Sequence, residues 1–162
     1  MERTECARLA ERFGPAVYRL AYARTGNAAD AEDVTQDVFL RLLTKAPAFA
    51  DDDHAKAWLL RVAANRASDL FRSPWRRRVS LEEAREEAVP AQDVPGETVA
   101  AVLALPPKLR VVVHLFYYEE LSVAQIAKLL NMREGAVKTR LSRARALLRR
   151  NMLEGGENDA VG

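Results

Sequence analysis

Residues 122–150, SVAQIAKLLNMREGAVKTRLSRARALLRR, leave this chain few ways to fold. Ser122 and Gln125 make an S-x-x-Q capping box, in which hydroxyl and amide side chains satisfy backbone N–H groups that a first helical turn leaves unpaired. A helix therefore starts at Ser122. Its apolar residues Val123, Ile126, Ala127 and Leu130 recur at one-turn spacing, and the run ends at Asn131, a residue that tolerates the left-handed backbone just past a helix. Asn131 to Arg133 is then a turn. In the helix that follows, Ala136, Val137, Leu141 and Leu148 face inward, while Lys138, Arg140, Arg143, Arg145, Arg149 and Arg150 leave on other faces. Small Ala127 lets the two helices approach closely.

Two short helices joined by a tight turn, the second rich in cations, form the helix-turn-helix pattern. Its second helix lays its first turns against base edges in the major groove and its flanking cations on phosphates. A basic amphipathic helix can also be mere solvated surface. Capping box, small residue, turn and cations agree in register, and that agreement favours the nucleic-acid reading. Charge segregation adds to it. The net charge is only +2, but residues 106–150 carry ten Lys+Arg against three Asp+Glu, while residues 79–105 carry one against six. A basic block beside an acidic connector fits a polyanion-binding module on a tether.

The remaining bulk properties exclude several classes. Apolar runs are too short to span a bilayer, and the N-terminus MERTECARLAER is charged where a signal peptide is greasy, so a cytoplasmic protein is expected. Cys6 is alone and has no internal disulfide partner. His54 and His114 are far apart with no cysteine near either, which argues against a structural zinc site. No cofactor is expected.

Upstream, Leu9, Phe13, Val17 and Leu20 repeat at helical spacing, and Gly14-Pro15 predicts a division there into two helices. Asn27 caps the next helix, which runs to about Lys45 with Val34, Val38, Phe39 and Leu42 inward and Asp30, Asp33, Asp37 and Arg41 on another face. Acidic Asp51-Asp52-Asp53 precedes a third helix, about Ala55 to Arg72, with Trp58, Leu59, Val62, Ala63 and Leu70 as its apolar members and Ser73-Pro74 as its stop. Pro90, Pro95 and Gly96 interrupt the acidic stretch 79–96, which reads as a linker. The run VVVHLFYY is read as helix, from its Pro-Pro start and helical surroundings. The expected fold is all-α: two small helical domains, 1–78 and 97–150, joined by a flexible acidic linker, with 151–162 a disordered acidic tail.

Taken together these segments resemble a bacterial RNA polymerase sigma factor of the small, two-domain extracytoplasmic-function type. DAEDVTQDVFLRLL (30–43) is similar to that family's polymerase-binding helix, AWLLRVAANRASDLFR (57–72) to its promoter-melting helix, and residues 105–145 to its upstream-element reader. The resemblance covers nearly the whole chain in the family's order. It implies a dissociable initiation subunit that joins core RNA polymerase, recognises a two-part promoter as duplex and as melted single strand, and leaves catalysis to the polymerase.

Each segment carries physical sense of its own. Asp30, Asp33 and Asp37, three and four residues apart, string carboxylates along one stripe suited to a basic partner helix, and Gln36 adds a hydrogen-bonding group. The resemblance makes that partner the clamp helices of the largest polymerase subunit; a solvated acidic face is the plainer reading. Asn65, Arg66, Asp69 and Arg72, followed by Trp75, Arg76, Arg77 and Arg78, offer the hydrogen-bonding groups, ring and cations that unpaired bases and their backbone need. The resemblance assigns Asn65, Asp69 and the loop from Phe71 to Trp75 to the downstream promoter element, with Arg76, Arg77 and Arg78 on phosphates. Trp75 is the better stacking ring, and Trp58 reads as core. The family often has an aromatic residue shortly before the equivalent of Trp58, where this chain has His54-Ala55-Lys56.

In the basic helix, matching positions imply base contacts from Lys138, Thr139, Ser142 and Arg143, and phosphate contacts from Arg133, Arg140 and Arg145. Ala136 replaces a threonine frequent in the family. The linker's 18 residues reach roughly 60 Å at about 3.3 Å each, comparable to about 18 base pairs at 3.4 Å rise, so both elements can be gripped together. The resemblance also implies an anti-sigma protein as a further partner, and the asymmetric function favours a monomer when free. The alternative from another class is a stand-alone helix-turn-helix regulator that uses only the C-terminal half. An enzyme built on Asp51–His54 finds no ligand set or nucleophile motif to support it.

Overall fold

The computed structural model describes residues 2–72 and 96–161. The chain divides into two compact units, Met1–Arg85 and Glu86–Gly162, and the division falls within the stretch read as linker. Among the described residues, every regular element is a helix.

The first unit holds α1 (Arg3–Thr25), α2 (Ala28–Lys45) and α3 (Asp52–Arg72), each packed on the other two. Helix α1 is continuous through Gly14-Pro15, contrary to the expected division. An internal proline removes a ladder hydrogen bond and costs about 3 kcal/mol. Here Pro15 lies on the exposed side, while Leu9, Phe13, Ala16, Val17 and Leu20 on the other side are buried. Each large apolar side chain so buried contributes about 1.5–3 kcal/mol, so the apolar stripe outweighs the proline. The helix ends where glycine permits it: Gly26 takes φ 71° and its N–H bonds to Tyr22 O at 2.7 Å. Asn27 then caps α2, its side chain accepting from Asp30 N at 3.0 Å.

Ala31, Val34, Val38 and Leu42 form the buried stripe of α2, and Ala46, preceding Pro47, is extended and stops it. Helix α3 begins three residues before the expected Ala55. Asp51 is the reason: its carboxylate accepts from His54 N at 2.8 Å, leaving Asp52 and Asp53 in the first turn where the dipole favours anions. Asp52 is also held by Arg8, at 2.9 Å, and by Arg12, which fastens α1 to the head of α3. The two arginines keep the Asp52 carboxyl at a pKa of about 2. Leu59, Leu60, Ala63, Ala64 and Ala67 bury the inner face of α3. Small alanines there permit close helix approach.

The second unit holds α4 (Gly96–Leu103), α5 (Pro107–Val113), a π-helical turn (His114–Tyr118), α6 (Val123–Leu130) and α7 (Glu134–Val161). Buried Arg110 donates to the carbonyls of Leu103, at 2.9 Å, and Leu105, at 3.4 Å, tying the end of α4 to α5. VVVHLFYY is helical as expected, with its second half widened: Glu119 N reaches back five residues to His114 O at 3.1 Å. Glu120 then turns the chain with φ 57°. The capping box at Ser122 and Gln125 is present in both directions, and Asn131 ends α6 at φ 54°. Leu129 is buried along with Ile126 and Ala127, whereas Leu130 is only half-buried. Helix α7 runs to Val161, through the segment 151–161 expected as a disordered tail; propagation adds one backbone bond for each residue fixed.

Candidate nucleic-acid interface

Three helices present the residues singled out from the sequence. In α7 the buried line is Val137, Leu141 and Ala144, at i, i+4 and i+7. Ala136, expected inward, is exposed because it lies about 100° around the helix from Val137. The face opposite the core carries Gly135, Thr139, Ser142 and Ala146, all small and all exposed. Lys138, Arg145 and Arg149 flank it on one side, and Arg140, Arg143 and Arg150 on the other. A slim central strip between two rows of cations lets the backbone approach base edges while the long side chains reach outward.

The individual side chains differ in freedom. Thr139 Oγ1 donates to Gly135 O at 2.9 Å, so its hydroxyl proton is already engaged. Arg140 is half-buried, and desolvation pushes its guanidinium pKa down from the ordinary value. Arg133 takes the N-cap place, its carbonyl accepting from Ala136 N at 3.0 Å and Val137 N at 3.2 Å. Its side chain has no acceptor to offer the first-turn N–H groups. Arg145 is exposed yet engaged: its Nε donates to Tyr117 Oη at 2.8 Å, and its guanidinium lies 5.6 Å from the Phe116 ring centre and 5.7 Å from that of Tyr117.

On α3, Asn65 and Asp69 are exposed on the face away from the core, and Arg72 is the last residue of the helix. Arg66 turns aside and pairs with Asp37 of α2 at 3.1 Å. Exposed Arg61, one turn before Asn65, belongs to the same outward face; the i, i+4 spacing was there to be read. Trp75, Arg76, Arg77 and Arg78 lie outside the described residues. Trp58 is half-buried beneath Phe49, ring centres 5.7 Å apart, and Phe49 also meets His54 edge-on at 5.3 Å. The loop before α3 thus supplies an aromatic ring beside the stretch His54-Ala55-Lys56.

The acidic stripe of α2 is divided in three dimensions. Asp33 and Gln36 are exposed on the outward face, but Asp30 is buried beside the Asn27 cap, and Asp37 is shared between Arg41 at 3.4 Å and Arg66. The outward face continues into Leu40, 59% exposed, and Leu43, 36% exposed. These two leucines escaped the sequence reading, which placed only Val34, Val38, Phe39 and Leu42 among the apolar residues and took the other face as acidic. Two large apolar side chains close together in a polar helix face suit a macromolecular contact. No group of three or more His, Cys, Asp or Glu side chains among the described residues is placed to hold a metal ion.

Family models match both units of the chain. The family model for Sigma-70 region 2 matches residues 9–77, and that for Sigma-70, region 4 matches residues 96–148. The ECF RNA polymerase sigma factor SigW of Bacillus subtilis is 30% identical, with 84% of this chain and 82% of SigW covered. SigL of Mycobacterium tuberculosis is 36% identical, with 86% and 84% covered.

The chain belongs to the ECF RNA polymerase sigma factors.

As a member it binds core RNA polymerase and directs promoter-specific transcription initiation. SigE of Mycolicibacterium smegmatis is a longer relative, 34% identical, of which this sigma factor spans 56%. Among solved structures, CnrH in complex with the cytosolic domain of CnrY has a TM-score of 0.61 at 25% identity, covering 95% of this chain and 90% of CnrH. The sigma factor RpoE in complex with the anti-sigma factor NepR from Bartonella quintana shares the fold, with a TM-score of 0.68 at 22% identity, covering 89% and 94%. A regulator using only the C-terminal half would leave the region 2 match over residues 9–77 without a role.

Proposed function

We infer that the first unit of this sigma factor docks on the polymerase through the outward face of α2, with Asp33, Gln36, Leu40 and Leu43 as the contact residues. The clamp helices of the largest subunit are the partner. Asp37 supports that face from below through Arg66, and Asp30 serves the helix start. The outward face of α3, with Arg61, Asn65 and Asp69, takes the melted strand of the downstream element, joined by Arg72, Trp75, Arg76, Arg77 and Arg78. In α7, Lys138, Thr139, Ser142 and Arg143 read the upstream duplex, and Arg133, Arg140 and Arg145 hold its backbone.

One observation carries this reading: small exposed residues at Gly135, Thr139, Ser142 and Ala146 run between two rows of cations, on a helix anchored by an opposite apolar line. That arrangement suits a groove better than open solvent. The protein acts in the cytoplasm, without catalysing a reaction of its own, and residues 79–96 bridge the two promoter elements. Two of its structural neighbours are complexes with CnrY and with the anti-sigma factor NepR, which supports an inhibitory partner for this chain also.

Run-off transcription with purified core polymerase, followed by mapping of the start sites, tests the whole assignment. Start-site selection must appear only when the chain is added. It must weaken on Asp33→Lys and on Lys138→Ala. A polypeptide that occupies duplex sites unaided and never redirects the polymerase would overturn it.

A further inference from the structure

Arg145 of α7 is held before any ligand arrives. Its Nε–H is used by Tyr117 Oη at 2.8 Å, and the plane is steadied by the rings of Phe116 and Tyr117. A guanidinium has two hydrogen-bonding edges, and this bond occupies only one atom of the side edge. The two terminal nitrogens form the end edge, which makes no hydrogen bond or ion pair among the described residues. Tyr117 itself is 55% exposed, so its position is not explained by burial of the ring. It stands on the π-helical turn, where the widened backbone sets successive aromatic residues outward beside α7.

We propose that Tyr117 is a positioning residue for DNA: it holds Arg145 so that the terminal nitrogens form a ready fork for one backbone phosphate. This rests on the reading that α7 lies in the upstream groove with Arg145 on a phosphate. Arginine loses considerable rotamer freedom when it grips a ligand, and a side chain already ordered loses less on binding. The Tyr117 hydroxyl keeps its own proton, which can be donated to the same phosphate. The contact carries no sequence information. It raises affinity on every duplex alike.

The test uses holoenzyme, made from the full chain and core polymerase, with two duplexes: a promoter found by start-site mapping and a scrambled control. Tyr117→Phe keeps the ring and removes the hydroxyl. It should weaken binding to both duplexes about three- to ten-fold, the range for one flexible side chain left unordered, with no change in melting temperature or salt dependence. Arg145→Ala should lower the salt slope by about 1. Tyr117→Phe added to Arg145→Ala should do nothing more. Arg145→Lys, which keeps the charge and loses the fork, should match Tyr117→Phe.

Normal binding by Tyr117→Phe or by Arg145→Lys, or effects of the two sites that simply add, would overturn the proposal while leaving the groove assignment intact. An unchanged affinity and salt slope in Arg145→Ala would remove both Arg145 as a phosphate contact and the role given to Tyr117.

Discussion

Asp37 on α2 and Arg66 on α3 form an ion pair at 3.1 Å that joins the helix proposed to meet the polymerase to the helix proposed to meet the promoter. Both side chains are partly exposed, 29% and 38%, so the pair is screened and contributes on the order of 0.5 kcal/mol. Its value is geometric, since it fixes the turn of Arg66 away from the outward face of α3. Alanine at either position should lower stability slightly, and the double variant should show a coupling of about 0.5 kcal/mol in urea titrations. Asp33→Lys should behave differently, with at least ten-fold weaker core polymerase binding. Equal polymerase defects with no coupling would place Asp37 in the contact itself.

Glu120 is a non-glycine residue at φ 57°, between the π-helical turn and the Ser122 cap. A left-handed conformation costs a side-chain-bearing residue about 1–2 kcal/mol, part of which glycine returns through its freer unfolded chain. Glu120→Gly should therefore stabilise the second unit by about 0.5–1 kcal/mol, raising its midpoint in chemical denaturation without changing duplex affinity.

The contact of Asp52 with Arg8 and Arg12 makes the first unit sensitive to acid. Because the folded pKa, about 2, lies below the ordinary aspartate value of about 3.9, the stabilisation is fully present above the higher figure. It is lost as pH falls through the lower one. Glu5, lowered by its hydrogen bond with Arg8, adds in the same direction. Thermal unfolding followed from pH 5 to pH 2 should show a steeper decline for the native sequence than for Asp52→Asn. Parallel curves would mean that the cluster does not persist in solution.

Arg143 and Arg140 flank the recognition strip on the same side, yet Arg140 is half-buried and Arg143 is exposed. Arg143→Ala should relax selection at one upstream base pair by about 1–3 kcal/mol, read by competition among single-substitution promoters. Arg140→Ala should weaken all promoters alike and reduce the salt slope by about 1. Exchanged behaviours would reverse the two roles.

Removing the hydroxyl at Ser122 should detach the start of α6 from its cap. Ser122→Ala should destabilise the second unit by about 1 kcal/mol, measured by urea unfolding, because Gln125 N then lacks its partner at 3.1 Å.

Local chemistry determined much of this protein. A capping box, an asparagine suited to φ 54° and a glycine suited to φ 71° set helix ends at Ser122, Asn131 and Gly26 from interactions within a few residues. The helical period likewise identified both apolar faces and hence the all-α class, and three motifs in order identified the family. What tertiary structure alone decided was how shared surfaces are divided. Pro15 is tolerated because the opposite face of α1 is buried between two helices, a term absent from local propensity. Asp30, Asp33 and Asp37 read alike along the chain, but Asp30 is buried, Asp37 pairs with Arg66 on α3, and Asp33 is exposed on the face that carries Leu40. Arg145 reads like any other cation until Tyr117, 28 residues away, is folded against it. Periodicity reports which face of a helix is apolar; how its polar residues are exposed, buried or paired depends on contacts made across the fold.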